Sequence, residues 1–251
     1  MIKLFAANWK MHKTQAEARQ TVEDLLRLSA VDLPVGREVL VIPPFTALSA
    51  TAAGLAGAER YHLGAQNFYP ADHGAFTGEV SPAMIRDAGA SFALTGHSER
   101  RHVLGESDSF VGQKTSFGLA AGLKVILCVG EKIEEREASK LAEVLTRQIS
   151  LGLADVPKNI APETLSVAYE PVWAIGTGLV AGPAEILEAH ALVRALLEDV
   201  FGSVAREMRI LYGGSVKPDN ASEIIALDNV DGVLVGGASL KADDFSRIVL
   251  A

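Results

Sequence analysis

The sequence predicts an α/β protein built as one (β/α)8 barrel over residues 1–251. Three observations lead there. Eight short, near-continuous apolar runs of strand length recur along the chain, as expected of parallel strands covered on both faces. Helical patterns alternate with them, and eight such units in 251 residues match the barrel in number and size. No G-x-G-x-x-G follows the first run, which weighs against the doubly wound open sheet that alternation also allows. No composition break or Ser/Pro/Gly-rich linker divides the chain.

The strands are expected at Lys3–Asn8, 38–42, Tyr61–Ala65, Phe92–Thr95, 125–129, Leu165–Tyr169, 208–212 and Gly232–Val235. Between them lie helix signals. Thr14 with Glu17 forms a capping box, and Val22, Leu25, Leu26 and Leu28 read as one apolar stripe. Ser81-Pro82 opens a helix that Gly89 ends. Residues 131–151 read as one long amphipathic helix with acidic side chains at its start. Pro183–Phe201 repeats the pattern ahead of Gly202, and 219–227 and 241–250 supply shorter helices.

Composition narrows the function. Apolar residues make up 49% and charged residues 22%, which excludes intrinsic disorder. With 31 acidic against 23 basic side chains the net charge is −8, so nucleic acid and anionic membrane are not expected partners. The single cysteine, Cys128, excludes an internal disulfide and a Cys-rich metal site. No apolar stretch reaches membrane-span length, and the N-terminal run is too short for a signal peptide; a cytoplasmic location is expected.

In either α/β architecture the chemistry belongs at the strand ends. The first strand ends Asn8-Trp9-Lys10, an amide and an ammonium on one side of the alternating backbone, suited to an anion; a lysine merely reaching solvent fits as well. The fourth ends Gly96-His97-Ser98-Glu99-Arg100-Arg101. His97 there is an acid, a base or a donor near neutrality, and a following helix start with Ser98 as cap would disfavour its charged form. The sixth ends in Glu170, a candidate general base, with a buried structural carboxylate paired to arginine as the alternative. Two glycines and Trp173 follow it, so the segment 174–178 reads as a lid. Gly213-Gly214-Ser215 and Gly236-Gly237 follow the last two strands, where backbone amides approach a phosphate without adding net positive charge. No metal-ligand spacing, P-loop or G-x-S-x-G elbow is present.

Together, Asn8-Trp9-Lys10, Gly96-His97-Ser98-Glu99-Arg100, the run Tyr169-Glu170-Pro171-Val172-Trp173-Ala174-Ile175-Gly176-Thr177-Gly178, Tyr212-Gly213-Gly214-Ser215 and Gly236-Gly237 resemble the triosephosphate isomerase family along the whole chain. The resemblance implies a TIM barrel and an intramolecular oxidoreductase of glycolysis and gluconeogenesis. It would be an aldose–ketose isomerase, interconverting dihydroxyacetone phosphate and D-glyceraldehyde 3-phosphate through an enediolate. By resemblance Glu170 is the base, His97 the electrophile and Lys10 the stabiliser of negative charge, with Asn8 beside it. Gly176, Ser215, Gly236 and Gly237 hold the phosphate, and Ser98 and Glu99 support from behind. No metal or organic cofactor is implied. A homodimer through the loop 66–79 is, with Phe68, Tyr69 and Phe76 read as side chains needing cover and Thr77 near the partner's site. The chain departs from the family at Leu179, after Gly178, where many members carry lysine; the lid's second hinge lies there.

Overall fold

In the computed structural model, which describes residues 1–175 and 179–251, eight parallel strands close on themselves in sequence order. They are β1 (Lys3–Asn8), β2 (Arg37–Ile42), β3 (Tyr61–Ala65), β4 (Phe92–Thr95), β5 (Lys124–Val129), β6 (Leu165–Tyr169), β7 (Arg209–Tyr212) and β8 (Gly232–Val235). Closure comes from β1 pairing β8 with Leu4 opposite Gly232 and Ala7 opposite Val235. Ten α-helices are described around the strands: α1 (Gln15–Ser29), α2 (Leu48–Leu55), α3 (Pro82–Asp87), α4 (Ser98–His102), α5 (Asp108–Ala120), α6 (Ile133–Glu137), α7 (Leu141–Gly152), α8 (Pro183–Phe201), α9 (Ala221–Ala226) and α10 (Ala242–Leu250). The architecture is the barrel the alternation predicts, in one domain, and the observed strands begin and end within one residue of the expected bounds.

Two cores follow from strand alternation. Leu4, Ala6, Leu40, Ile42, Phe92, Leu94, Ile126, Cys128, Ala168, Leu211 and Leu234 fill the barrel interior. The opposite faces, including Phe5, Ala7, Val39, Val41, Val125 and Leu127, pack against the helices. Alternation then decides what reaches the top of the barrel. Asn8 continues the inward series Leu4–Ala6, and Glu170 continues from Ala168.

Local signals hold at several ends. Thr14 and Glu17 form the capping box, with Thr14 N–H donating to Glu17 at 2.7 Å. Ser81 caps α3 by accepting from Met84 N–H. Gly202 ends α8 with φ 65. The stripe of α1 differs from expectation: Ala18, Val22, Leu25 and Ser29 are buried, while Leu26 and Leu28 are only half-buried on its flanks.

The single helix expected over 131–151 is two helices. Ser139 adopts φ 57, and the amide of Lys140 reaches back to Glu135 O at 2.8 Å, a left-handed C-terminal stop made without glycine. Glu131 lies outside both helices and is fully buried, and Lys132 N–H donates to Glu135 to start α6. No described helix is long and apolar enough to cross a membrane.

Candidate active site

A cavity of 690 Å³ opens at the C-terminal ends of the strands. Asn8, Lys10, His97, Glu170, Ser215, Gly236 and Gly237 all line it. Ser98 and Glu99 stand behind it, in contact with Glu170 and Lys10 respectively. Gly176 lies outside the described residues, as does most of the segment 174–178.

Lys10 is held in a left-handed backbone conformation, φ 52, which costs a non-glycine residue about 1–2 kcal/mol. Three contacts fix it. Its amide donates to Asn8 Oδ1 at 3.0 Å, its carbonyl accepts from Gln66 Nε2 at 2.7 Å, and its ammonium meets Glu99 Oε1 at 2.7 Å. Burial pushes the Glu99 carboxyl up, but the hydrogen bond from Lys10, with the charges of His97 and Lys10, leaves it below its ordinary range. Strand alternation alone does not put Lys10 in the cavity; this strained turn, one residue past β1, does. Gly236, opposite, leaves space for it, since a Cβ there would come within 3.2 Å of Lys10 Cε.

His97, not Ser98, caps α4. Continued alternation from Phe92 and Leu94 would turn Gly96 inward and His97 outward. Gly96, at φ 68, breaks that phase and brings the imidazole into the cavity. The Nδ1 atom of His97 accepts from Glu99 N–H at 3.4 Å, and Nε2 stands 3.1 Å from Glu170 Oε1. That is the geometry of a ring carrying its hydrogen on Nε2.

Glu170 is 2% exposed. Its Oε2 accepts from Ser98 N–H at 2.9 Å and its Oε1 from Ser98 Oγ–H at 3.3 Å. Among the described residues no arginine hydrogen-bonds to it, so the alternative of an arginine-paired structural carboxylate is not what the geometry shows. Cys128 lies beside it, its thiol pushed well up by burial and then by the Glu170 charge.

On the far side, the short helical turn Gly237–Leu240 begins directly after Gly236, at the place where barrels hold phosphate. The amides of Gly236 and Gly237 donate to no other described residue. Lys217 and Arg247 extend the rim, with Asp219 and Asp244 beside them. The lining thus carries three cationic and three acidic side chains, and Arg247 pairs with Asp219, so an anion would rest chiefly on backbone amides. Among the described residues no group of three or more His, Cys, Asp or Glu side chains is placed to hold a metal ion.

Two participants had no motif of their own. Gln66 braces Lys10 from the end of β3. Glu131 accepts from Tyr169 Oη–H at 3.0 Å and Trp173 Nε1–H at 2.8 Å. Burial drives its carboxyl up, against the opposing pull of those two bonds. Only the inward alternation at Gln66 was a usable signal for the first; nothing local marks the second.

A carboxylate beside an imidazole, a lysine across from them and free amides beyond make a site for moving a proton on a small anionic substrate. Comparison with known proteins agrees. Residues 3–251 match the family model described as triosephosphate isomerase. A protein named triosephosphate isomerase from Nitratidesulfovibrio vulgaris (strain DSM 19637 / Miyazaki F) is 64% identical over 251 residues, covering all of both chains. One of the same name from Oleidesulfovibrio alaskensis is 61% identical over the full length of both, and one from Syntrophotalea carbinolica is 50% identical over 97% of this chain and 96% of its own.

Proposed function

The chain belongs to the triosephosphate isomerase family, and from that premise we propose that Glu170 and His97 carry the proton transfers of its reaction. The protein is an isomerase of triose phosphates, acting in glycolysis. We assign its substrates as dihydroxyacetone phosphate and D-glyceraldehyde 3-phosphate, and place it also in gluconeogenesis and in the cytoplasm.

A carbon-bound proton next to a carbonyl is weakly acidic, so a carboxylate alone does not remove it fast. Glu170 takes the proton while Nε2–H of His97 polarises the carbonyl oxygen. The same imidazole then moves a proton between the two oxygens of the enediolate. Lys10, with Asn8 beside it, stabilises the developing negative charge, and donors fixed in advance usually supply the largest part of such stabilisation. The amides of Ser215, Gly236, Gly237 and Gly176 hold the phosphate, the last from outside the described residues. Ser98 and Glu99 position Glu170 and Lys10.

One observation carries this reading most directly: His97 Nε2 stands 3.1 Å from Glu170 Oε1 inside the cavity that Lys10 and the two glycine pairs line. Glu170→Asp tests it. Retracting the carboxylate by about 1 Å should lower kcat about 10²-fold with KM little changed, because the phosphate contacts stay intact. A variant with near-full kcat removes Glu170 from the role. Nitrogen-15 chemical shifts of His97 should report the Nε2–H tautomer in the free enzyme; a ring with its hydrogen on Nδ1 contradicts the electrophile assignment.

The protein further forms a homodimer through the loop 66–79, and the surface supports this reading. Met11, Phe76, Met84, Val103 and Leu104 are exposed, and they come from the segments following β1, β3 and β4. Of the three aromatic side chains expected to need cover, Phe68 is instead buried in its own barrel and Tyr69 is half-buried against Phe76, so Phe76 is the one left for a partner. Phe76→Asp with Thr77→Glu should give a monomer of much lower activity by sedimentation and assay. A parent protein already monomeric and active at micromolar concentration overturns the dimer.

A further inference from the structure

We infer that Arg101 is a positioning residue of the site: its guanidinium ties the His97-bearing end of β4 to the end of β5, whose Cys128 adjoins Glu170. The inference rests on the reading of Glu170 as base and His97 as electrophile.

The Arg101 side chain is 4% exposed, so its charge is desolvated and must be answered within the protein. Every edge of its planar fork is used. Its Nε–H donates to Gly96 O at 2.7 Å, the carbonyl immediately before His97. Its Nη2–H donates to Cys128 O at 3.0 Å, beside the interior thiol that adjoins Glu170. Its Nη1 pairs with Asp108, which Arg147 Nε holds in turn at 2.9 Å.

Gly96 is shaped for this contact. A Cβ there would fall 2.5 Å from Arg101 Nη2 and 2.8 Å from Val111 Cγ1. The left-handed turn that aims His97 inward is therefore the same turn the guanidinium grips. A lysine reaches only one of these acceptors, because it lacks the fork.

The charged and titratable neighbours define the electrostatic part. Glu170 is faced by His97, Arg101 and His102 from the segment following β4, and by Cys128 from β5. Lys10 lines the same cavity from β1 but is paired to Glu99. Arg101 also faces Asp108 and Glu106. Its interactions with Glu170 and Asp108 favour the charged guanidinium against the larger, opposing effect of burial.

The test compares Arg101→Met and Arg101→Lys with the parent. Readouts are kcat, KM, inhibition by inorganic phosphate and thermal unfolding. Arg101→Met should lower kcat about 10²-fold, as expected for misplacement near 1 Å. Arg101→Lys should lose kcat as well, because a lysine lacks the fork that joins the carbonyls of Gly96 and Cys128. KM and phosphate inhibition should stay within about twofold in both, because the phosphate contacts assigned above follow β6, β7 and β8 whereas Arg101 follows β4. A merely structural arginine degrades phosphate binding along with kcat, and that pattern overturns the inference. Parental kcat in variants that fold overturns it as well. Should Arg101→Met not fold, Arg101→Lys decides by its kcat at unchanged KM. A Glu170→Asp variant with full kcat would instead sink the base assignment, whatever the arginine variants do.

Discussion

The two mouths of the barrel both gather charge, and they use it differently. At the N-terminal mouth the charges are taken up by the protein itself. Arg209 Nη2 meets Glu38 Oε2 at 2.9 Å, Lys3 Nζ donates to Ile225 O and Val230 O, and Arg37 donates to Val249 O and Ala251 O. At the C-terminal mouth Lys10, His97 and Glu170 are positioned by neighbours yet still face a cavity of 690 Å³. Buried charge is costly in both places. It yields stability where the protein's own groups answer the charge, even with Arg209 Nη1 and His62 Nε2 left without a hydrogen bond, and chemistry where the charged groups face a cavity. Substitutions at the two mouths should therefore separate activity from stability.

The largest effect should fall on the upper mouth. His97→Gln removes an acid–base group whose contribution is ~10²–10⁴-fold, so kcat should drop within that range. Its thermal unfolding should shift little, because the ring's one backbone partner is a long contact at 3.4 Å. A large loss of stability with kcat intact would erase the distinction between the mouths.

Next in size is Glu38→Ala below. It leaves Arg209, whose side chain is 8% exposed, without its carboxylate partner. Removing one member of a buried pair costs ~3–5 kcal/mol, and partial exposure of Glu38 places this case at the low end, about 3 kcal/mol. Denaturant titration should show that loss, while kcat of the folded fraction stays within about twofold of the parent. A comparable fall in kcat would mean that the lower cluster reaches the site.

The smallest effect is a pH dependence of the lower mouth. His62 Nε2 stands 3.8 Å from Glu38 Oε2, too far for a hydrogen bond, so the two act on each other through space. That ring, against the opposing effect of burial and together with the Arg209 guanidinium, holds the Glu38 carboxyl down to about 2. A carboxyl lowered on folding stabilises the native state above its unfolded value, and the gain is lost as pH falls towards the folded value. Stability should thus decline between about pH 4.5 and pH 2, and Glu38→Gln should flatten that part of the curve. An unchanged slope would remove Glu38 as its source.

The regions also differ in how far the chain announces them. The strands were legible because both faces are covered, so each reads as a short apolar run, and the observed bounds lie within one residue of the expected ones. Helix α5 left no stripe, because it buries Val111, Gly112, Lys114, Thr115 and Gly118. Two of those are glycines chosen for closeness: a Cβ at Gly112 would sit 2.2 Å from Leu151 O, and at Gly118 2.7 Å from Phe68 Cζ. The stop at Ser139 was missed for a related reason. Its left-handed turn uses a serine, where the sequence rule looks for glycine.

The sequence by itself determined the barrel, the strand ends and the residue types placed there, since periodicity, turn chemistry and short motifs are local properties of the chain. It also carried the inward phase that delivers Asn8 and Glu170 to the top. What only the tertiary structure decided is how those groups meet. Lys10 enters the cavity through a strained turn braced by Gln66 and Glu99, residues 56 and 89 positions away. Glu170 rests on Ser98, 72 positions distant. Arg101 joins Gly96 to Cys128 across two strands. Such contacts depend on register, closure and side-chain reach, which are set only when distant segments pack, and no window of neighbouring residues contains them.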